Sequence, residues 1–444
     1  MTSHSSTKPT GIFAFSIVWF GQFISLIGSG MSQFALTIWA WQITGKATAL
    51  ALVGFFSFAP TVLLSPIAGA LVDRWNRKLV MILSDLAAGL STIVILVLLW
   101  LDCLEIWHLY VAGAFAGVFG SFQFPAYNAA ITTMIPKKHY GRANAMVGMA
   151  GSATNVIAPI LAGALLAILG IRGVLIVDVF TFVFAVGVLL FVTIPHPEAT
   201  SHGRKARGSL WSESLYGFKY MFEHRSFLAL LLLIFCSNVT LLIGATILAP
   251  MILARTNSNE LVLGAVQMAF GIGGIAGGMI MSVWGGPKRR IIGVIVGFAG
   301  LSLAGEMLIG LGRSPAVWAT GAFFITLFLA LGNTSSGAIW QSKVPADVQG
   351  RVFAVRRMIG AMGAPIAMLM AGPLADFVFE PLMSSNTGVS SLLSKIVGLG
   401  PGAGMSLMFV LAGGVGTMLA LVSLATRELR EIDTLIPDTD EAPS

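Results

Sequence analysis

Long stretches without charge alternate along this chain with short clusters of Lys, Arg, Asp, Pro and Gly. Cutting the apolar stretches at those clusters leaves twelve runs, at residues 12–40, 48–71, 79–100, 109–134, 144–169, 173–194, 228–253, 261–284, 291–312, 316–341, 352–378 and 404–425. Each is long enough for a helix rising about 1.5 Å per residue to cross roughly 30 Å of hydrocarbon. The pattern predicts an all-α membrane protein with twelve transmembrane helices. Twelve is even, so both chain ends are expected on one side of the bilayer.

Composition supports the membrane assignment. The 444 residues are 56% hydrophobic and 10% charged, with a mean hydropathy of +0.88, whereas soluble domains carry about a quarter charged residues. A net charge of +7 would suggest nucleic acid in a soluble protein, but here the basic residues sit in loops, and no nucleic-acid partner is expected. Cys103 and Cys236 have neither metal-site spacing nor a bridging relationship. The polar stretch Met1 to Thr10 runs straight into a long apolar run, which predicts a retained first helix rather than a cleaved signal peptide.

Charge placement gives the orientation. With the N-terminus inside, only Lys46, Arg172, Arg255, Arg313 and Lys395 fall outside, and the other 21 of the 26 Lys and Arg fall inside. Basic residues accumulate in short cytoplasmic loops, so cytoplasmic N- and C-termini are predicted.

The longest polar segment, Pro195 to Arg225, divides the runs six and six. The expected organisation is an N-terminal six-helix bundle at 1–194, a cytoplasmic linker at 195–226, a C-terminal six-helix bundle at 227–427 and a tail at 428–444. The linker either lets two bundles move or merely tethers them. The halves are related in sequence at one offset of 209 positions. Ile135-Pro136 and Gly141-Arg142 return as Val344-Pro345 and Gly350-Arg351, Trp75 as Trp284, and Ala162-Gly163 as Ala371-Gly372. A shared offset at separated places indicates a parallel repeat of two halves.

The most informative turn is Gly69-Ala-Leu-Val-Asp73-Arg74-Trp-Asn-Arg77-Lys78, between the second and third runs. This Gly-x-x-x-Asp-Arg-x-x-Arg-Lys pattern resembles the loop signature of the major facilitator superfamily of secondary transporters. In the second half Asp73 maps onto Ser282, and Gly285-Gly-Pro-Lys288 replaces most of the basic turn, which implies an asymmetric gate. Further segments resemble the macrolide and multidrug efflux proteins and the enterobactin exporter: Gly21 to Gly30, Asp73 to Asp85, Gln349 to Phe353, and Ala371 to Asp376 with Phe379-Glu-Pro381. Ala158-Pro159-Ile-Leu-Ala162-Gly163 is a degenerate form of the antiporter motif Gly-Pro-x-x-Gly-Gly, and Gly363-Ala-Pro365 is its rough counterpart. Both are expected to be pivots or tight packing sites.

Enzyme constellations are missing: there is no His-Glu-x-x-His, phosphate-binding loop or Gly-x-Ser-x-Gly, so no enzyme is expected. Gly271-Ile-Gly-Gly274-Ile-Ala-Gly-Gly278 superficially looks like a dinucleotide loop but lies within an uncharged span, where close helix packing is the better explanation. Charges within spans cost about 2.5 to 3.5 kcal/mol each near the helix centre, so Asp85, Asp178 and Glu306 need a partner or a purpose. Asp85, about two turns into the third span, is expected to join an ion-pair network with the Asp73 to Lys78 turn. Asp178 is expected either to pair with Arg172 or, like Asp85 and Glu306, to be a proton-coupling candidate. Glu306 has no basic residue in its own span.

Neutral polar residues gather in the first, fourth, seventh and tenth spans: Gln22, Ser25, Gln33, Gln123, Asn128, Asn238, Thr240 and Asn333. The resemblance implies that these spans line a substrate cavity, although buried amides also serve as ordinary interhelical hydrogen bonds. Aromatic side chains share the spans, among them Phe34, Phe124 and Trp340. An apolar, polarizable wall suits bulky amphiphilic substrates better than sugars or phosphates.

The resemblance implies the two six-helix, pseudo-symmetric bundles of the major facilitator fold, rocking about a midplane cavity. It implies efflux of a drug, macrolide, siderophore or peptide natural product by proton antiport from the bacterial plasma (inner) membrane. No cofactor beyond the proton gradient is expected, and the chain is expected to act as a monomer. Gly69, Asp73, Arg74, Arg77, Lys78, Asp85, Arg142 and Arg351 are its expected gating residues. A proton-linked importer of a small metabolite is the alternative, but it should show a charged binding site.

Overall fold

The computed structural model describes residues 11–72, 75–136, 139–194, 219–345, 349–385 and 388–435, and every regular element among them is helical. The expected linker lies outside the described residues up to position 218.

The elements of the first half are α1 (Gly11–Thr44), α2 (Ala47–Val72), α3 (Arg77–Trp100), α4 (Ile106–Met134) and α5 (Tyr140–Phe191). At 52 residues, α5 is twice the length a crossing needs. Gly170 breaks it, with φ 62° and ψ −177°, a conformation open to glycine and avoided by residues with a Cβ. Its limbs, 140–169 and 171–191, supply the fifth and sixth crossings.

In the second half are α6 (Arg225–Arg255), α7 (Glu260–Trp284) and α8 (Arg290–Gly300), which continues through a π-helical turn (Leu301–Glu306) into Met307–Leu311. Then come α9 (Pro315–Lys343) and α10 (Gln349–Leu374), the latter extended through a second π-turn (Ala375–Phe379) into Glu380–Ser384. A short helix α11 (Gly388–Val397) precedes α12 (Ala403–Ala425) and the small helices α13 (Arg427–Arg430) and α14 (Ile432–Leu435). Among the described residues, eleven helices are long and apolar enough to cross a membrane, and the break in α5 brings the crossings to twelve.

The chain forms two compact units. One comprises Met1–Thr44 with Leu52–Ala199, the other Gly45–Ala51 with Thr200–Ser444. In the first, α1 packs along both limbs of α5, while α3 lies against α4 and α5. The approach is close: a Cβ on Gly28 would fall 2.0 Å from Thr181 Oγ1, and one on Gly30 would fall 2.8 Å from the Cβ of Ala158. The Ala158 to Gly163 segment therefore acts as a packing site. Phe15, Met81 and Leu189 fill the centre of this unit.

In the second unit α7 packs on α9, α8 on α9 and α12, and α6 on α10 and α12. A Cβ on Gly273 would sit 2.2 Å from the Phe323 carbonyl oxygen, and one on Gly277 2.8 Å from that of Leu327. The glycine run of α7 is thus a helix-packing seam, as expected. Trp340 anchors the core, stacked on Phe227 at 4.8 Å with the Arg356 guanidinium 5.3 Å from its ring centroid. Large apolar side chains such as Phe180, Phe191 and Val283 point outward as well, which suits lipid rather than water as the surrounding solvent.

The repeat shows in the way helices end. Ile135 and Val344, 209 positions apart, cap α4 and α9 with the same extended backbone and an N–H bonded to the carbonyl four residues back. Where the repeat fails in sequence, the caps differ too. Asn76 starts α3 by accepting from the Leu79 N–H, whereas Gly285 stops α7 in the left-handed conformation at φ 75°.

Candidate functional site

The basic turn binds helix backbones. Arg77 Nη1 donates to the Ala129 carbonyl at 2.7 Å, and Lys78 Nζ donates to the carbonyls of Leu190 and Val192 at 3.0 and 2.8 Å. The last carbonyls of a helix lack intrahelical donors and carry the negative end of its dipole, so a cation is well placed at the end of α5. Gly69 lies in the last turns of α2, Arg142 is exposed at the start of α5, and Arg351 lies in the first turn of α10. Asp73 and Arg74 lie outside the described residues.

Asp85 departs from expectation. It was expected to meet the cations of the turn, but it accepts from two amides instead: Gln22 Nε2 at 2.8 Å to Oδ2 and Gln123 Nε2 at 2.9 Å to Oδ1. Gln123 also donates to Gln22 Oε1 at 3.1 Å, closing a three-membered cluster across α1, α3 and α4. Eight residues of helix set Asp85 about 12 Å further in than Arg77, beyond easy reach of the guanidinium.

Asp178 departs as well. Arg172 pairs with Asp102 at 2.9 Å and donates to the Leu99 carbonyl at 3.0 Å, while Asp178 accepts from Ser29 at 3.3 Å and Thr92 at 3.0 Å. Six residues of helix are about one and two-thirds turns, so Arg172 and Asp178 face different sides of the limb. The exposed Arg172–Asp102 pair adds little stability.

Glu306 closes the π-turn of α8 and is fully buried, and among the described residues it faces no cation, only the neutral hydroxyl of Ser302 one turn back. A Cβ on Gly244 would lie 3.5 Å from Oε1, and one on Gly416 3.8 Å from Oε2, so glycines of α6 and α12 leave the space it occupies. π-Turns interrupt a helix at a cost and concentrate at functional positions.

In the first unit several polar candidates converge. Gln22, Ser25, Gln123, Asp85 and Asp178 line one cavity of about 160 Å³. Gln33 lines an adjoining cavity of about 330 Å³ that shares Asp178. Asn128 is half-buried on α4. In the second unit Thr240 is buried and bonds the Ser237 carbonyl of its own helix, Asn238 is half-buried and Asn333 is exposed.

Two carboxylates in the segments that resemble the exporters, given no role from the sequence, cap helix starts. Asp376 accepts the N–H groups of Ala47 at 3.0 Å and Thr48 at 2.8 Å, within the second unit. Glu380, one turn on, accepts the Met405 N–H at 3.1 Å at the start of α12. The sequence offered only a faint signal, an acidic pair spaced four apart around the second π-turn.

Comparison with known proteins shows what the arrangement belongs to. The family model described as Major Facilitator Superfamily matches residues 18–368. The chain is 23% identical over 427 residues to macrolide efflux protein A of Streptococcus pyogenes, covering 94% of this chain and 97% of that one. It is 23% identical to the enterobactin exporter EntS of Salmonella choleraesuis (strain SC-B67), covering 87% and 91%. Among solved structures, an inward-facing, unoccupied bacterial homolog of the human lysosomal transporter Spinster matches with a TM-score of 0.65 at 15% identity, covering 94% of this chain and 98% of that one.

Proposed function

Since the chain belongs to the major facilitator superfamily, a family of transporters rather than enzymes, we propose that this multi-pass membrane protein exports bulky amphiphilic small molecules in exchange for protons. The observation that supports export most is the nearly end-to-end similarity to two exporters. The proposed substrates are drugs, macrolides, siderophores or peptide natural products.

Two carboxylates in the spans support a proton as the coupling ion. Asp85 has neutral amide donors and Glu306 the neutral Ser302 hydroxyl, so among the described residues neither charge is offset by a fixed cation. Each could take up a proton, which removes a charge that is costly to bury without a counter-ion. Giving up that proton to one face and regaining it from the other would couple the gradient to the alternation of the two halves. The Asp73 to Lys78 turn would act on the cytoplasmic side as a gate with Arg142 and Arg351. The proposed setting is a bacterial inner membrane with both termini in the cytoplasm, and the proposed working unit is the monomer.

Competitive export assays test this reading in cells stripped of their own pumps, using dyes, macrolides and siderophores with and without a protonophore. Export of at least one amphiphile that collapses with the proton gradient supports it. Uptake of a small metabolite, with no amphiphile exported, overturns it.

A further inference from the structure

We propose that the first unit holds a sodium-binding site centred on Asp178. The Asp178 side chain is 3% exposed and sits where α1, α3 and the second limb of α5 meet. Its oxygens face the hydroxyls of Ser29 on α1 and Thr92 on α3, at 3.3 and 3.0 Å. One turn further along α1, Ser32 is 4% exposed, and its hydroxyl also faces the Asp178 carboxylate. Ser29, Ser32, Thr92 and Asp178 line the same cavity of about 330 Å³.

This is an all-oxygen set: one carboxylate and three hydroxyls brought in by three rods. Among the described residues, no Lys, Arg or His lines either this cavity or the adjoining one of about 160 Å³. Arg172, the cation in the same limb as Asp178, is engaged by Asp102 and Leu99. Hard cations take carboxylate, hydroxyl and water oxygens. The cavity has room for a partly hydrated ion, given about 30 Å³ per water.

The charge count selects a monovalent ion. Asp85 shares the smaller cavity with Asp178, but it lies seven residues, about 10 Å, along α3 from Thr92. Only one carboxylate therefore reaches the ion. Among the described residues, no group of three or more His, Cys, Asp or Glu could hold a metal, which argues against a divalent site. Asp85, Asp178 and Glu306 are all candidate proton carriers from the sequence; this assignment gives Asp178 a different ion and leaves proton exchange to Asp85 and Glu306.

The test is equilibrium binding of radioactive sodium to the full-length protein in lipid nanodiscs, with choline as the inert replacement cation. Saturable binding of one ion per chain is expected. It should weaken at least tenfold in Asp178→Asn and in Ser32→Ala, and survive in Asp85→Asn. Should Asp178→Asn fail to fold, Ser32→Ala decides, since it removes one hydroxyl and no charge. Absence of saturable binding in the wild type, equal displacement by potassium, or undiminished binding in folded Ser32→Ala overturns the assignment. The result is separable from export: a protein that binds sodium yet moves no amphiphile would refute the transport reading and leave this site standing.

Discussion

Gln22 Nε2 donates to Asp85 Oδ2 at 2.8 Å, joining side chains 63 positions apart and fastening the first span to the third. Because Gln123 donates to the other oxygen, Asp85 is the shared acceptor of two amides. Asp85→Asn retains a single carbonyl oxygen and so leaves at least one buried donor without its acceptor. The expected loss is about 1 to 3 kcal/mol, read as a lower unfolding midpoint in detergent, together with slower export.

Glu306→Gln should behave differently. Glu306 has only the Ser302 hydroxyl beside it, and Gln keeps nearly the same shape and a carbonyl oxygen that can accept from that hydroxyl. Membrane levels and thermal midpoint should stay close to wild type, while substrate-driven proton flux in everted vesicles should fall at least tenfold. Unchanged proton flux from correctly inserted protein would remove Glu306 from the coupling route.

Lys78→Met tests the end of α5. Its ammonium satisfies two backbone carbonyls there, so its loss should destabilise the protein by about 1 kcal/mol. Lys78→Arg should recover part of that, as both are cations able to donate to carbonyls. Chemical denaturation of the two variants side by side gives the comparison.

Gly273→Leu should disrupt the seam between α7 and α9. Even the first carbon of a side chain would fall 2.2 Å from a backbone carbonyl oxygen, which a rotamer change cannot relieve. Overpacking costs about 1 to 3 kcal/mol, and reduced folded protein in size-exclusion profiles is the expected outcome. Gly278→Leu, where nothing lies within 4 Å of the added Cβ, serves as the control and should be tolerated.

Asp73→Asn addresses the cytoplasmic turn. The variant should reach the membrane at normal levels and export poorly, as expected for a gate residue. Wild-type efflux rates from correctly inserted protein would remove Asp73 from the gate.

The spans were legible because lipid demands uninterrupted apolar helices, and a charge interrupts them visibly. The glycine seam at 271–278 was legible for a related reason, since small residues in an uncharged run have little use other than close packing. Partner choice was not. Asp85 is nearer in sequence to Arg77 than to Gln22 or Gln123, yet helix rise carries it away from the first and toward the others. Arg172 and Asp178 looked like a pair by spacing, but rotation about the helix axis sends them to Asp102 and to the hydroxyls of Ser29 and Thr92. Ser25, Ser29 and Ser32 recur at intervals of four and three residues along α1, a stripe that could have flagged the Asp178 cavity from sequence alone.

The single-residue break at Gly170 carries a practical corollary. Two neighbouring crossings meet with no surface loop between them, so proteases have nothing to cut there, and an inserted epitope or reporter would have to force the limbs apart. Topology mapping by insertion will therefore report this bend as a site of lost expression, although the chain emerges from the bilayer at that point.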